Sequence, residues 1–126
     1  AQATAQALLA DGIQKVGLLG TKYTMTQDFY KEKLIESGLE VLIPDQAGIT
    51  EVNRIIYDEL CLGNIKESSK QTYLAVIDDL KKASAEAVIL GCTEIGLLVK
   101  QFDTDLPLYD TTVIHAEKAA EWAVNK

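Results

Sequence analysis

Histidine, methionine and tryptophan occur once each in this sequence, and cysteine and proline only twice. One histidine and two cysteines, Cys61 and Cys92, have no metal-ligand spacing, so no metal and no cofactor is expected. Two cysteines do not make a disulfide framework and suit reduced thiols in the cytoplasm. No apolar run is long enough to span a membrane, and no stretch reads as a secretory leader. The net charge is -7, and no stretch gathers Lys and Arg into a patch. Neither a membrane nor nucleic acid is therefore an expected partner. A small acidic ligand is not excluded, because it needs only local positive charge or backbone donors. The Gly17 to Gly20 spacing fits neither a dinucleotide fingerprint nor a phosphate loop.

What is present is a globular balance, 48% hydrophobic and 25% charged, over 126 residues. That is enough for one domain with a real core, taken here as residues 1–126. The chain begins at Ala1 and its only methionine is Met25, as expected of a piece of a longer product. The most informative stretch is Ala87-Val88-Ile89-Leu90-Gly91-Cys92-Thr93-Glu94-Ile95. Four apolar residues ended by a glycine suit a strand buried on both faces. The polar triplet then sits past the strand's carboxyl end, where open α/β sheets bind ligands. A helix starting at Ile95 would place Cys92 near its N-terminus. There the backbone dipole favours a thiolate, so its pKa is expected below about 8.5 and its reactivity above that of Cys61.

The rest of the chain alternates. An alanine-rich helix with Leu8 and Leu9 on one side stops at Gly12. Lys15 to Gly20 is a first strand with Thr21 to Thr24 as its exit loop. Thr24 and Gln27 form a capping box for a helix carrying Met25, Phe29, Tyr30 and Leu34 and ending at Ser37-Gly38. Leu39 to Ile43 is a second strand. Ile49, Val52, Ile55, Ile56 and Leu60 mark a helix to about Leu62, stopped by Gly63-Asn64. A further helix with Tyr73, Val76, Ile77 and Leu80 is opened by Ser68 or Ser69. After the strand at Ala87 come a turn at Asp103 to Asp105 and a fourth strand at Leu106 to Tyr109. Pro107 puts that strand at an edge. A last helix, capped by Thr111 or Thr112, holds Val113, Ala116, Ala120 and Val124. The expected architecture is a three-layer α/β fold, a four-stranded parallel sheet of order 2-1-3-4 with helices on both faces. In that order the loops after Gly20 and Gly91 face each other across the switch point.

Gly17-Leu18-Leu19-Gly20-Thr21-Lys22-Tyr23-Thr24-Met25 resembles the start of the second half of the aspartate/glutamate racemase family. Gly91-Cys92-Thr93-Glu94-Ile95 is the most specific match. Glu59-Leu60-Cys61-Leu62-Gly63 and Asp110-Thr111-Thr112-Val113-Ile114-His115-Ala116 support it. The resemblance covers nearly the whole chain and about one half of a typical family member. It implies two similar α/β domains with the active site between them. It further implies racemisation of an acidic amino acid, aspartate or glutamate, without pyridoxal phosphate, using one cysteine from each half. Cys92 corresponds to the cysteine of the second half, and the first-half cysteine has no counterpart here. The chain is therefore expected to lack an N-terminal half or to form a homo-oligomer.

The chemistry has its own logic. Inverting a stereocentre by proton exchange needs an acid on one face of Cα and a base on the other, and two thiols can serve. The substrate carboxylate must be held by donors that also stabilise the developing charge. Thr21, Thr24 and Thr93 are candidate donors, and helix capping is their structural alternative. Glu94 is a candidate for a proton relay or a favourable helix start. Lys66 is the nearest cation that could pair with a side-chain carboxylate, against the reading of a solvated lysine. Cys61 reads as a core or helix-surface residue, and His115 as a capping or packing residue. Two alternatives stand beside the racemase: a stand-alone carboxylate-binding or assembly domain that does no chemistry, and a single-cysteine decarboxylase or isomerase of similar architecture.

Overall fold

The computed structural model describes residues 2–92, 94–111 and 114. Strand β1 (Lys15–Leu19) pairs in parallel with β2 (Glu40–Leu42) on one side and β3 (Ala87–Leu90) on the other. Strand β4 (Leu108–Asp110) adds in parallel beyond β3. The order is β2-β1-β3-β4, as the strand–helix alternation predicts. Val16 lies opposite Ala87 and Leu19 opposite Leu90, so the two central strands end level with each other.

The apolar runs make β1 and β3 the middle of the sheet because both their faces are covered. On one face, helices α1 (Gln2–Ala10) and α3 (Asp28–Glu36) bring Leu8 and Leu34 onto Val16, Leu18 and Ile89. On the other, α4 (Gln46–Asp58) and α5 (Glu67–Lys82) bring Val52, Ile55, Tyr73 and Ile77 onto Leu19, Val88 and Leu90. Alternate residues of β3 thus serve opposite cores. Gly17 lets α5 approach: a methyl group there would lie 2.8 Å from Leu80 Cδ1.

Several local boundaries differ from the sequence reading. Thr24 does not open the helix after β1. Thr21 is the N-cap of α2 (Lys22–Thr26), its side chain accepting the Thr24 amide. The helix then breaks at Gln27, whose extended backbone separates α2 from α3. The break turns Phe29 to solvent while Met25 and Leu34 stay buried. Leu9 is likewise exposed, and Ala5 and Leu8 hold α1 to the core. Helix α4 ends at Asp58 and is followed by a separate 3-10 turn, Leu60–Leu62, closed by Gly63 at φ 82°. Neither Ser68 nor Ser69 caps α5; Lys66 occupies that position and makes no side-chain cap bond. Ser69 faces inward instead, because a buried carboxylate claims its hydroxyl. A 3-10 turn occupies Gln101–Asp103, so the chain turns earlier than Asp103 to Asp105 implies. Strand β4 starts two residues later than expected; the Pro107 carbonyl still accepts the Val88 amide. The proposed last helix lies largely outside the described residues.

Candidate functional site

The carboxyl ends of β1 and β3 meet. The Gly91 amide donates to the Leu19 carbonyl at 2.7 Å. A methyl group at Gly91 would lie 3.0 Å from that carbonyl oxygen and 3.4 Å from Thr24 Cγ2. Only a glycine lets the β3 exit loop lie this close to the β1 exit loop. Thr21 and Thr24 share a hydrogen bond between hydroxyls at 3.2 Å, and both are half-buried. The neighbouring Lys22 amide donates to Asn53 Oδ1 at 2.7 Å, which ties α2 to α4. Two loops with small polar side chains therefore face each other at the switch point, as the strand order requires.

Cys92 follows Gly91 and is half-buried. Its thiol donates to Glu94 Oε2 at 2.8 Å. Burial pushes the thiol pKa up, the Glu94 carboxylate adds to the rise, and the result is about 11. The same bond holds the Glu94 carboxyl below its usual value. The expected thiolate at a helix N-terminus is thus overturned. Helix α6 (Ile95–Leu98) has only four residues, and a nearby carboxylate opposes whatever dipole it carries. At neutral pH Cys92 is a neutral thiol bonded to an ionised Glu94.

The other sequence candidates are distributed around this pair. Lys66 is exposed, at the start of α5. Cys61 is exposed in the 3-10 turn, which packs against α6. Its charge, when ionised, adds slightly to the rise at Cys92. Thr93 and His115 lie outside the described residues. Among the described residues no group of three His, Cys, Asp or Glu could hold a metal.

Two residues near the site, Glu59 and Tyr73, were missed as site residues in the sequence. Glu59 is buried, accepts the Ser69 hydroxyl and pairs with Arg54 at 3.2 Å. Tyr73 is buried and donates its hydroxyl to the Val52 carbonyl at 2.8 Å. Its pKa is raised, chiefly by burial and then by the charges of Cys92 and Glu59. For Glu59 a signal existed. Val52, Ile55, Ile56 and Glu59 continue one inward helical stripe, and an acid on such a stripe calls for a buried partner.

Cys92 lines none of three cavities of about 240, 400 and 470 Å³, although the last is bordered by Leu90 and Gly96 on either side of its loop. The thiol follows the carboxyl end of β3, a central strand.

A parallel sheet whose two central strands end in a glycine-hydroxyl loop and a glycine-thiol loop defines an open α/β unit with a polar switch-point edge. The chain belongs to the Asp/Glu/hydantoin racemase family, whose profile matches residues 1–119. A provisionally named Asp/Glu racemase from Yersinia pestis is 50% identical, with a TM-score of 0.95 over 98% of this chain. An aspartate racemase homologue from Pyrococcus horikoshii OT3 is 44% identical, with a TM-score of 0.92 over the same share. This chain spans 54% of the length of each. An uncharacterised protein of Pectobacterium carotovorum subsp. carotovorum, from the region 3′ of pnlA, is 32% identical over 121 residues. That match takes in 94% of this chain and 79% of the relative. The Picrophilus torridus aspartate racemase shares the fold, at a TM-score of 0.66 and 24% identity over 86% of this chain and 44% of its own.

Proposed function

We propose that this chain supplies one thiol to the cofactor-independent racemisation of an acidic amino acid, aspartate or glutamate. The observation that carries the reading is the Cys92–Glu94 pair beside the abutting Gly20 and Gly91 loops. As acid, Cys92 gives its Sγ proton to the Cα carbanion and is left as a thiolate. As base, it must first have lost that proton to solvent, which burial and the Glu94 carboxylate both oppose. With a pKa of about 11 the neutral thiol dominates at pH 7, so in the two-faced reaction Cys92 is chiefly the acid, while its small thiolate fraction is the base that removes and returns the Cα proton on its own face. The opposing base then comes from a second half or a second copy. Thr21 and Thr24, and Thr93 from the sequence pattern, are the donors proposed for the α-carboxylate. Lys66 is the partner proposed for the side-chain carboxylate.

A second reading, a carboxylate-binding or assembly domain without chemistry, is favoured by the same raised pKa, since little thiolate exists at neutral pH. Solvent exchange separates the two. In heavy water the chain is expected to wash the Cα proton out of aspartate or glutamate, and Cys92→Ala is expected to abolish this. Binding of the amino acid with no exchange at any pH supports the binding domain instead.

A further inference from the structure

Glu59 sits at the junction of α4 and the 3-10 turn Leu60–Leu62, and its side chain is only 8% exposed. It is engaged from both ends. Its backbone carbonyl accepts the amides of Leu62 at 3.1 Å and Asn64 at 2.8 Å. Its carboxylate accepts the hydroxyl of buried Ser69 from α5 and the Arg54 guanidinium from α4, the latter at 3.2 Å. The Ser69 bond, and less so the charges of Lys66 and Arg54, hold the Glu59 carboxyl below its usual value. One residue therefore closes the segment 59–69 into a fixed loop.

That loop adjoins the site. Its 3-10 turn packs on α6, which begins three residues after Cys92. Lys66 stands on the same loop, just before α5. A buried carboxylate bonded to a serine and an arginine exceeds what a helix-to-helix connection needs. A glycine turn alone would reverse the chain. We propose that Glu59 is a positioning residue that, together with Ser69, sets the place of Lys66 relative to Cys92 and so the preference for an acidic side chain. This rests on the acidic-substrate reading above. Glu59 touches no substrate; it acts through Lys66 by fixing the loop on which that residue stands.

The test is protection of Cys92 from iodoacetamide by aspartate and by alanine, read by peptide mapping. The variants are Glu59→Gln, Lys66→Met and the double substitution. Aspartate is expected to protect the unaltered chain better than alanine does. Glu59→Gln is expected to weaken protection by aspartate about tenfold, the size of a lost charge-assisted contact, and protection by alanine much less. In the Lys66→Met background Glu59→Gln is expected to add little, because the two act as a unit. Glu59→Asp, which keeps the charge, is expected to recover part of the preference. Circular dichroism and the unliganded alkylation rate show whether each variant folds. Should Glu59→Gln fail to fold, Ser69→Ala takes its place, with the same loss of preference expected and an unchanged preference overturning the inference. Equal losses for aspartate and alanine, or equal losses with and without Lys66, mark Glu59 as structural only and overturn the inference. No protection of the unaltered chain by any acidic amino acid overturns the substrate reading, and this inference with it.

Discussion

Two forces act on Cys92 in the same direction. Burial disfavours the thiolate, and the carboxylate of Glu94 at 2.8 Å disfavours it again. A pKa of about 11 means that the thiolate fraction rises about tenfold with each pH unit up to that value. The alkylation rate of Cys92 is therefore expected to climb through pH 9 and 10 and to level off only near pH 11. At pH 7 exposed Cys61 is expected to react faster, the reverse of what position after a strand implies. Replacing the carboxylate by an amide removes one of the two causes. Glu94→Gln is thus expected to alkylate faster at pH 8 than the unaltered chain. A slower rate in that variant means that the carboxylate activates the thiol, and contradicts the electrostatic account. The location of Cys92 was legible, since an apolar run ended by glycine marks a strand's carboxyl end. Its protonation state was not. Whether a carboxylate two residues on turns back to the thiol depends on the path of a short loop, which no local pattern specifies.

Among the elements, α4 is the best-defined amphipathic helix, burying Ile49, Val52, Ile55 and Ile56. Its start is fixed by Asp45, which accepts the Gly48 amide at 2.8 Å. Asp45→Ala is expected to cost about 1 kcal/mol, the usual value of such a cap. For a chain of this size that lowers Tm by about 5 °C, which calorimetry reads directly. An unchanged Tm contradicts the cap. A sharper effect is expected at Gly91. The nearest atom to an added methyl group there is a backbone oxygen of β1, 3.0 Å away, which cannot move without parting the strands. Gly91→Ala is expected to destabilise the chain more than Gly17→Ala. At Gly17 the obstacle is the end of the flexible Leu80 side chain. Denaturant midpoints of the two variants decide this. The strands and their order follow from the sequence because apolar continuity and helix alternation leave few topologies. Two of the misplaced boundaries involve small hydroxyl residues. Thr21 and Thr24 both suit a cap, and so do Ser68 and Ser69. Tertiary partners stand beside both pairs: Asn53 accepts the Lys22 amide next to Thr21, and Glu59 takes the Ser69 hydroxyl.

In the whole molecule the exposed large apolar residues include Tyr23, Tyr57, Leu62 and Leu97. Tyr23 lies on α2, Leu97 on α6, Leu62 on the 3-10 turn and Tyr57 on the last turn of α4, all in elements around the polar edge. Apolar groups gathered about a polar centre favour association. The chain is expected to self-associate in light scattering at high concentration. A clean monomer that binds no hydrophobic dye counts against a covered edge. The central claim is narrower: this chain provides one face of a two-faced reaction. Racemisation needs proton donors on both sides of Cα, and a misplacement of about 1 Å can cost on the order of a hundredfold in rate. The direct measurement is to incubate each enantiomer of aspartate with the chain in heavy water and to follow deuterium at Cα together with optical rotation. Deuterium incorporation with configuration retained is the expected result; rapid inversion by the 126-residue chain alone contradicts it.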